Sequence, residues 1–253
     1  MNMKKRVVIG DPHGRWELVK QIYDKVQPDE VIILGDYFDS FHIDAYTQRE
    51  SYDNIIKLRN EHLEKGKGDF IMLIGNHDFH YMDEKFGRCS GWNPLTCSQA
   101  DYPLCRDWEN EVLQFVYVDY KNFTIYSHAG VSQKWFDSWC KDKELEDINS
   151  LPTKAFCFTF KEGGDYYGSS VYNSPLWIRP EGLMKAPYVD YNGDTWNQVF
   201  GHTEPGTPIH WKQEFEDYTA DFYGIDCIYK HYLIEYLDDK GKLLERKLGD
   251  VMN

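Results

Sequence analysis

The chain has 253 residues, enough to bury an ample core as one large domain or two small ones. Its 28 basic against 42 acidic residues leave a formal charge of −14 with no basic block, which argues against loose attachment to long nucleic acid or an anionic membrane. A small phosphorylated ligand stays open. No stretch is long enough to span a bilayer, and Val7-Val8-Ile9 is too short for a signal-peptide core. The six cysteines contain no CxxC pair, so an intracellular, cytoplasmic chain with reduced thiols is the expectation. Cys89, Cys97 and Cys105 read as thiols of an insertion rather than as a zinc site.

In chain order, the apolar run Val7–Ile9 predicts a first strand. Trp16, Leu18, Val19, Ile22, Tyr23 and Val26 fall on one helical stripe that Pro28 stops. A strand at 31–35 completes a βαβ unit. Residues 46–65 predict a second helix with Tyr52, Ile55, Ile56 and Leu63 inward, ended by Gly66 and Gly68. A strand at 70–74 follows. Residues 79 to about 110, rich in aromatics, cysteines and prolines, predict an irregular insertion or lid above a site, with Trp92 a candidate to stack on a ligand ring. Strands are expected at 115–118 and 123–127, with Lys121-Asn122 as their turn. Ser132 should cap a helix through Trp135, Phe136 and Trp139. Residues 150–196 read as loop, and short antiparallel strands from 222 onward turn at Asp239-Lys240-Gly241.

Five apolar runs share one grammar: RVVIGDPH, EVIILGDYFD, DFIMLIGNHD, NFTIYSHAG and NQVFGHT each end in a carboxylate, an amide or an imidazole. In open α/β sheets, ligands bind at the carboxyl ends of strands. Asp11, His13, Asp36, Asn76, His128 and His202 would then converge from five strand ends on one site. That mixture of oxygen and imidazole suits hard and borderline divalent ions, and two such ions can clamp a phosphoryl group.

The ordered set GDPHG, GDYFD, GNHD, SHAG and GHT resembles the calcineurin-like metallophosphoesterase superfamily, within it the phosphoprotein phosphatase branch that includes bacterial diadenosine tetraphosphatases. It spans residues 7 to 203, with a weaker match at Ile225-Asp226-Cys227. The resemblance implies an α/β chain folded as one four-layer α/β/β/α sandwich over residues 1–253, two mixed sheets flanked by helices. It implies that Asp11 and His13 hold a first metal, that Asp36 bridges, and that Asn76, His128 and His202 complete a second. Manganese is the first expectation for the pair, with iron, zinc, nickel or magnesium as alternatives. His77 matches the proton donor to the leaving oxygen and Asp39 the carboxylate that orients it. Direct attack on phosphorus by a metal-bound hydroxide, without a phosphoenzyme, is the implied mechanism.

The chain departs from the family pattern at Gly35-Asp36-Tyr37-Phe38-Asp39-Ser40, where relatives end in arginine. The loss of that two-pronged donor weakens the grip on a dianionic phosphate. Arg179, within Leu176-Trp177-Ile178-Arg179, matches the second arginine of bacterial members, and Arg15 is a substitute for the first by its nearness to His13. His42, His62, His80, His210 and His231 match no motif position and read as surface or supporting residues, with His80 the exception to watch. The run Glu144, Glu146, Asp147 reads as a solvated helix face. The expected function is a dimetal phosphatase acting on a phosphoprotein or small phosphorylated molecule. A dinucleoside polyphosphate hydrolase or phosphodiesterase acting on nucleotides, a nucleic-acid end-processing enzyme, and a non-catalytic scaffold are the alternatives.

Overall fold

The computed structural model describes residues 3–82, 87–157, 163–204, 207–214, 219–226 and 228–251. Its opening is the expected βαβαβ unit: β1 (Lys4–Ile9), α1 (Trp16–Val26), β2 (Glu30–Ile33), α2 (Ala45–Glu64) and β3 (Phe70–Leu73). β1 pairs with β2 and β2 with β3, all parallel. These strands are apolar without alternation because both faces are covered. Val7, Ile9, Val31, Ile33 and Met72 pack toward α1 and α2, while Val8, Ile32, Leu34 and Leu73 turn to the other face.

The helices keep their predicted bounds to within a residue, with one change of face. On α2, Tyr52 and Ile55 are buried and Ile56 partly so, but Leu63 is exposed and Leu58 and His62 take the inward positions. His62 is therefore not a surface residue: its ring bonds the Tyr23 hydroxyl at 2.9 Å and Gly68 O at 3.1 Å.

The expectation of an irregular insertion is corrected. Residues 76–82 form α3 (Asn76–Met82) and residues 94–109 a regular helix, α4 (Pro94–Glu109). Pro94 occupies the first turn, where its missing N–H costs nothing, and Asn93 caps it by accepting from Thr96 N at 2.8 Å. The buried face of α4 runs Thr96, Ala100, Pro103, Leu104, Asp107. That is helical spacing, hidden in the sequence because polar residues share the stripe; Asp107 accepts the Tyr52 hydroxyl at 2.7 Å.

A short β4 (Leu113–Gln114) extends the first sheet. The second sheet holds β5 (Val116–Asp119), β6 (Thr124–Ser127), β7 (Asn197–Phe200), β8 (Ile209–Glu214) and β9 (Thr219–Gly224) in the order β5-β6-β7-β9-β8. Between β6 and β7 lie α5 (Gln133–Trp139), capped by Ser132 as expected, and α6 (Pro180–Lys185). The expected run of terminal antiparallel strands is split. β10 (His231–Leu237) and β11 (Leu243–Asp250) form the hairpin with its turn at 239–241 and return to the first sheet, giving the order β11-β10-β1-β2-β3-β4. β9 stays in the second sheet, parallel to β7. Glu144 and Asp147 are not a plain solvated face, since Asp147 accepts from Glu144 N at 2.9 Å and caps a short 3-10 turn.

The molecule is thus a mixed α/β structure of two mixed sheets flanked by helices. Val8, Ile32, Leu34, Leu73, Tyr126, Val199, Ile225 and Leu233 fill the space between the sheets. Beside them runs a buried charged cluster. Arg6 contacts Glu30 at 2.8 Å, Asp119 at 2.8 Å and Glu235 at 3.2 Å, and Arg246 contacts Glu235 at 2.7 Å. Both sheets are parallel at their centres, β1-β2-β3 in one and β6-β7-β9 in the other. Their carboxyl ends therefore gather along one edge of the sandwich.

Candidate metal centre

Each strand end delivers one part of the site: Asp11 and His13 after β1, Asp36 after β2, Asn76 after β3, His128 after β6, His202 after β7. The glycines in the repeated grammar have a steric reason. A Cβ on Gly75 would lie 2.0 Å from Asp36 Oδ1, and one on Gly201 would lie 2.1 Å from Asp11 Oδ1. Both carboxylates occupy space that only glycine leaves open. Four of the polar residues themselves sit in left-handed backbone: His13 at φ 45°, Asp36 at φ 58°, Asp39 at φ 65° and His202 at φ 64°. Non-glycine residues pay about 1–2 kcal/mol each for that region, a cost that concentrates at functional sites.

The strained loop is tied by Asp78, from which the sequence reading drew nothing. Its fully buried carboxylate accepts from Asp36 N at 2.7 Å, Tyr37 N at 2.8 Å, Phe38 N at 3.3 Å and Gly75 N at 3.0 Å. Burial lifts Asp78 to about 7 against the pull of those N–H donors.

The hydrogen positions decide what the cluster wants. His128 Nδ1 donates to Leu34 O at 2.9 Å, so the neutral ring keeps a lone pair on Nε2. That lone pair lies 2.8 Å from Asn76 Oδ1 and 3.4 Å from Asp36 Oδ2, both acceptors. Burial holds His128 neutral by lowering it to about 3. His13 repeats the pattern: Nδ1 donates to Phe38 O at 2.7 Å, leaving Nε2 bare and 3.8 Å from Asp36 Oδ2. Burial, then the nearby His77 charge, lowers His13 to about 4. His202 places Nδ1 2.8 Å from Asn76 Oδ1, and its Nε2 and Asp11 Oδ1 are buried without a hydrogen-bond partner. Burial raises both Asp11 and Asp36 well above the usual carboxylate range, and neighbouring carboxylates add to it. Ligand atoms of Asp11, Asp36 and His128 fall within 4.8 Å of one another. Lone pairs facing lone pairs among buried carboxylates are the donor set a divalent cation relieves. The residues present fit a metal.

Beside them His77 donates from Nδ1 to Asp39 Oδ2 at 2.8 Å, and its backbone N–H donates to Asp36 Oδ1 at 2.8 Å. Burial pulls the imidazole down, but the Asp36 charge and the Asp39 bond outweigh it and raise His77 to about 9. A cavity of about 340 Å³ opens over Asp11, His13, Asp39 and His77, with Arg15, Ser40, Phe41, His42 and Tyr229 at its walls. Arg15 donates to Pro12 O and His13 O and lies over the Tyr229 ring at 4.3 Å. Arg179 does not line that cavity; it stands at the His202 end, donating to Thr203 Oγ1 at 3.3 Å. Nor does Trp92, which stacks on Tyr81 at 6.5 Å with the Arg88 guanidinium 3.4 Å from its ring, so the expected ligand-stacking face is occupied within the chain.

Glu204 and Asp226 also line the cavity, and neither stood among the expected site residues. Asp226 follows β9, a sixth strand end; Ile225-Asp226-Cys227 was visible as a weak match, whereas Glu204 carried no signal beyond following GHT. His80, flagged by its spacing, is wholly buried beside Asp39.

The family model for calcineurin-like phosphoesterases matches residues 4–230. The chain belongs to the calcineurin-like phosphoesterase family. A serine/threonine phosphatase of Saccharomyces cerevisiae, described as similar to human phosphatase PP5, shares the fold at a TM-score of 0.56 with 12% identity, covering 98% of this chain and 79% of that one. A metallophosphoesterase of Sphaerobacter thermophilus does so at a TM-score of 0.50 with 13% identity, covering 98% and 88%. None of the curated protein sequences compared with the chain matches it. The family is one of metal-dependent phosphoester chemistry, and among the described residues two groups bring ligand atoms within 4.8 Å of one another, Asp11-Asp36-His128 and Asp39-His77-His80.

Proposed function

We propose that the protein is a dimetal phosphoester hydrolase acting on a small phosphorylated molecule or an exposed phosphorylated side chain. The observation that carries this reading is the set of acceptor atoms facing one another at the strand ends, from His13, Asp36, Asn76 and His128. Asp11 and His13 would hold one ion, Asn76, His128 and His202 the other, and Asp36 would touch both. Manganese is the first ion to test. When bound, such ions supply positive charge for the phosphoryl oxygens and lower the pKa of the attacking water.

The chain's own residues do the rest. His77, charged near neutral pH and steered by Asp39, presents Nε2 toward the cavity as the acid that protonates the departing oxygen. Arg15 and Arg179 offer guanidinium donors for phosphate oxygens at the His13 and His202 ends. Ser40 replaces a charged fork by one neutral hydroxyl, which favours a monoanionic diester over a dianionic monoester relative to other family members. The exposed Phe41 at the cavity wall favours, as a second reading, a nucleotide substrate such as a dinucleoside polyphosphate.

The test is a Mn²⁺-supplemented panel of an aryl phosphate, its bis-aryl diester, a dinucleoside tetraphosphate, a cyclic nucleotide and a phosphopeptide. Hydrolysis of at least one, lost on chelation and restored by Mn²⁺, is expected. Silence on the whole panel with two metals bound would overturn the reading.

A further inference from the structure

The carboxylate of Asp39 sits behind His77 and is approached by more than one imidazole. His77 Nδ1 and His80 Nε2 each lie 2.8 Å from the same oxygen, Oδ2, and the Tyr81 hydroxyl donates to Oδ1. Asp39, His80 and Tyr81 are all buried. A nitrogen and a carboxylate oxygen that close need a proton or a cation between them. Three ligand atoms within 4.8 Å would allow a metal here. The other ring nitrogen of His80 decides between the two. Cys89 N–H donates to His80 Nδ1 at 3.0 Å, so the neutral ring carries its proton on Nε2, the nitrogen 2.8 Å from Asp39 Oδ2 but off the line of a hydrogen bond to it. A metal would need that nitrogen bare. His128 and His13 show the opposite tautomer.

The segment after α3 completes the enclosure. Gly91, at φ 88°, brings its backbone so close that an added Cβ would lie 3.1 Å from Asp39 Oδ2. Cys89 sits on the same stretch. The chain thus packs two consecutive side chains of α3 and one loop around the Asp39 carboxylate.

We propose that His80 and Tyr81 are positioning residues that hold the Asp39 carboxylate in line with His77, so that the leaving-group acid is set by four residues rather than by an Asp–His pair. The inference rests on the proposed hydrolase reading and specifies how its acid is aimed. Neither residue lines the cavity. With the Tyr81 hydroxyl donating to Oδ1 and the buried His80 ring packed against Oδ2, Asp39 loses the freedom to rotate away from His77 Nδ1, and the imidazole keeps Nε2 turned to the departing oxygen.

The test compares Tyr81→Phe, His80→Ala and His80→Gln with the Mn²⁺-loaded wild type on an alkyl and an aryl phosphate, alongside metal content and thermal midpoint. An alkoxide needs its proton and a nitrophenolate hardly does, so general-acid loss of about 10²–10⁴-fold bounds the effect. Expected is a fall in kcat of about 10- to 100-fold for the alkyl ester and under about 3-fold for the aryl ester, with KM and metal content unchanged. His80→Gln, which keeps an N–H near the Nε2 position, should recover much of the loss. Equal losses on both esters, or losses that track the thermal midpoint, would overturn the proposal. A second readout works on metal-free protein: the low-field imidazole proton of His77, assigned by its absence in His77→Asn. It should shift in Tyr81→Phe and His80→Ala; an unmoved signal refutes the brace even where the wild type hydrolyses neither ester, a result that would instead refute the hydrolase reading.

Discussion

Asp78→Asn isolates the buried carboxylate that ties the metal-ligand loop. Oδ2 of Asp78 accepts from Asp36 N and Gly75 N, and Oδ1 from Tyr37 N and Phe38 N. An asparagine keeps one oxygen and puts an NH₂ group where the other was. Whichever way it is turned, two backbone N–H donors then face a donor inside a dry pocket. Leaving a buried donor unmade costs about 1–3 kcal/mol, so two cost about 2–6 kcal/mol. Against a total stability of about 5–15 kcal/mol that is a large share. The damage should also be local, because Asp36 at φ 58° relaxes once its N–H is released. Urea unfolding of the metal-free protein should show a midpoint shift worth about 2–6 kcal/mol with unchanged slope. Metal binding by the folded fraction should fall with it. A variant within about 1 kcal/mol of wild type that still binds two ions would refute the claim that Asp78 holds the loop.

Further predictions follow from the same contacts. Gly75→Ala places a Cβ 2.0 Å from Asp36 Oδ1, so metal stoichiometry by elemental analysis should drop; full occupancy would show that the glycine is not required. Glu235→Gln leaves Arg6 and Arg246 without their shared buried partner and should cost about 3–5 kcal/mol at neutral pH by chemical denaturation. Burial raises Glu235, but Arg246 and then Arg6 outweigh it and hold it below its ordinary 4.5. Its contribution is therefore present above pH 4.5 and fades as pH falls through the lower folded value, so the gap between wild type and variant should narrow in acid. A gap that is constant or widens would contradict that sign. Arg15→Ala should raise KM for a phosphomonoester about 10-fold or more, while Ser40→Arg should raise the monoester-to-diester rate ratio; no change in either would remove these positions from the phosphate grip.

Much of the site was legible because strand ends announce themselves. A buried strand must be apolar, so a carboxylate or imidazole directly after one stands out, and glycine before it marks the close approach seen at Gly75 and Gly201. All six expected ligand residues are gathered at one edge by the two parallel sheet centres. What escaped was tertiary. Asp78 carried no signal of its own because its partners are mostly backbone N–H groups far along the chain. Asp226 closes a sixth strand whose burial alternates, so no continuous apolar run preceded it. The helix at 94–109 was hidden by Thr96 and Asp107 on its inner face, where partners from elsewhere satisfy them. Likewise Trp92 faces Tyr81 and Arg88 rather than a ligand, a choice that only packing decides.

The central claim is that Asp36 joins two divalent ions into one hydrolytic centre. It is tested most directly by measuring, on the same preparations of wild type and Asp36→Asn, the number of Mn²⁺ ions bound per folded chain and the rate of aryl phosphate hydrolysis. Two ions and hydrolysis in the wild type, with both lost together in the folded variant, is the predicted result. Two ions still bound to Asp36→Asn with turnover unchanged would contradict it.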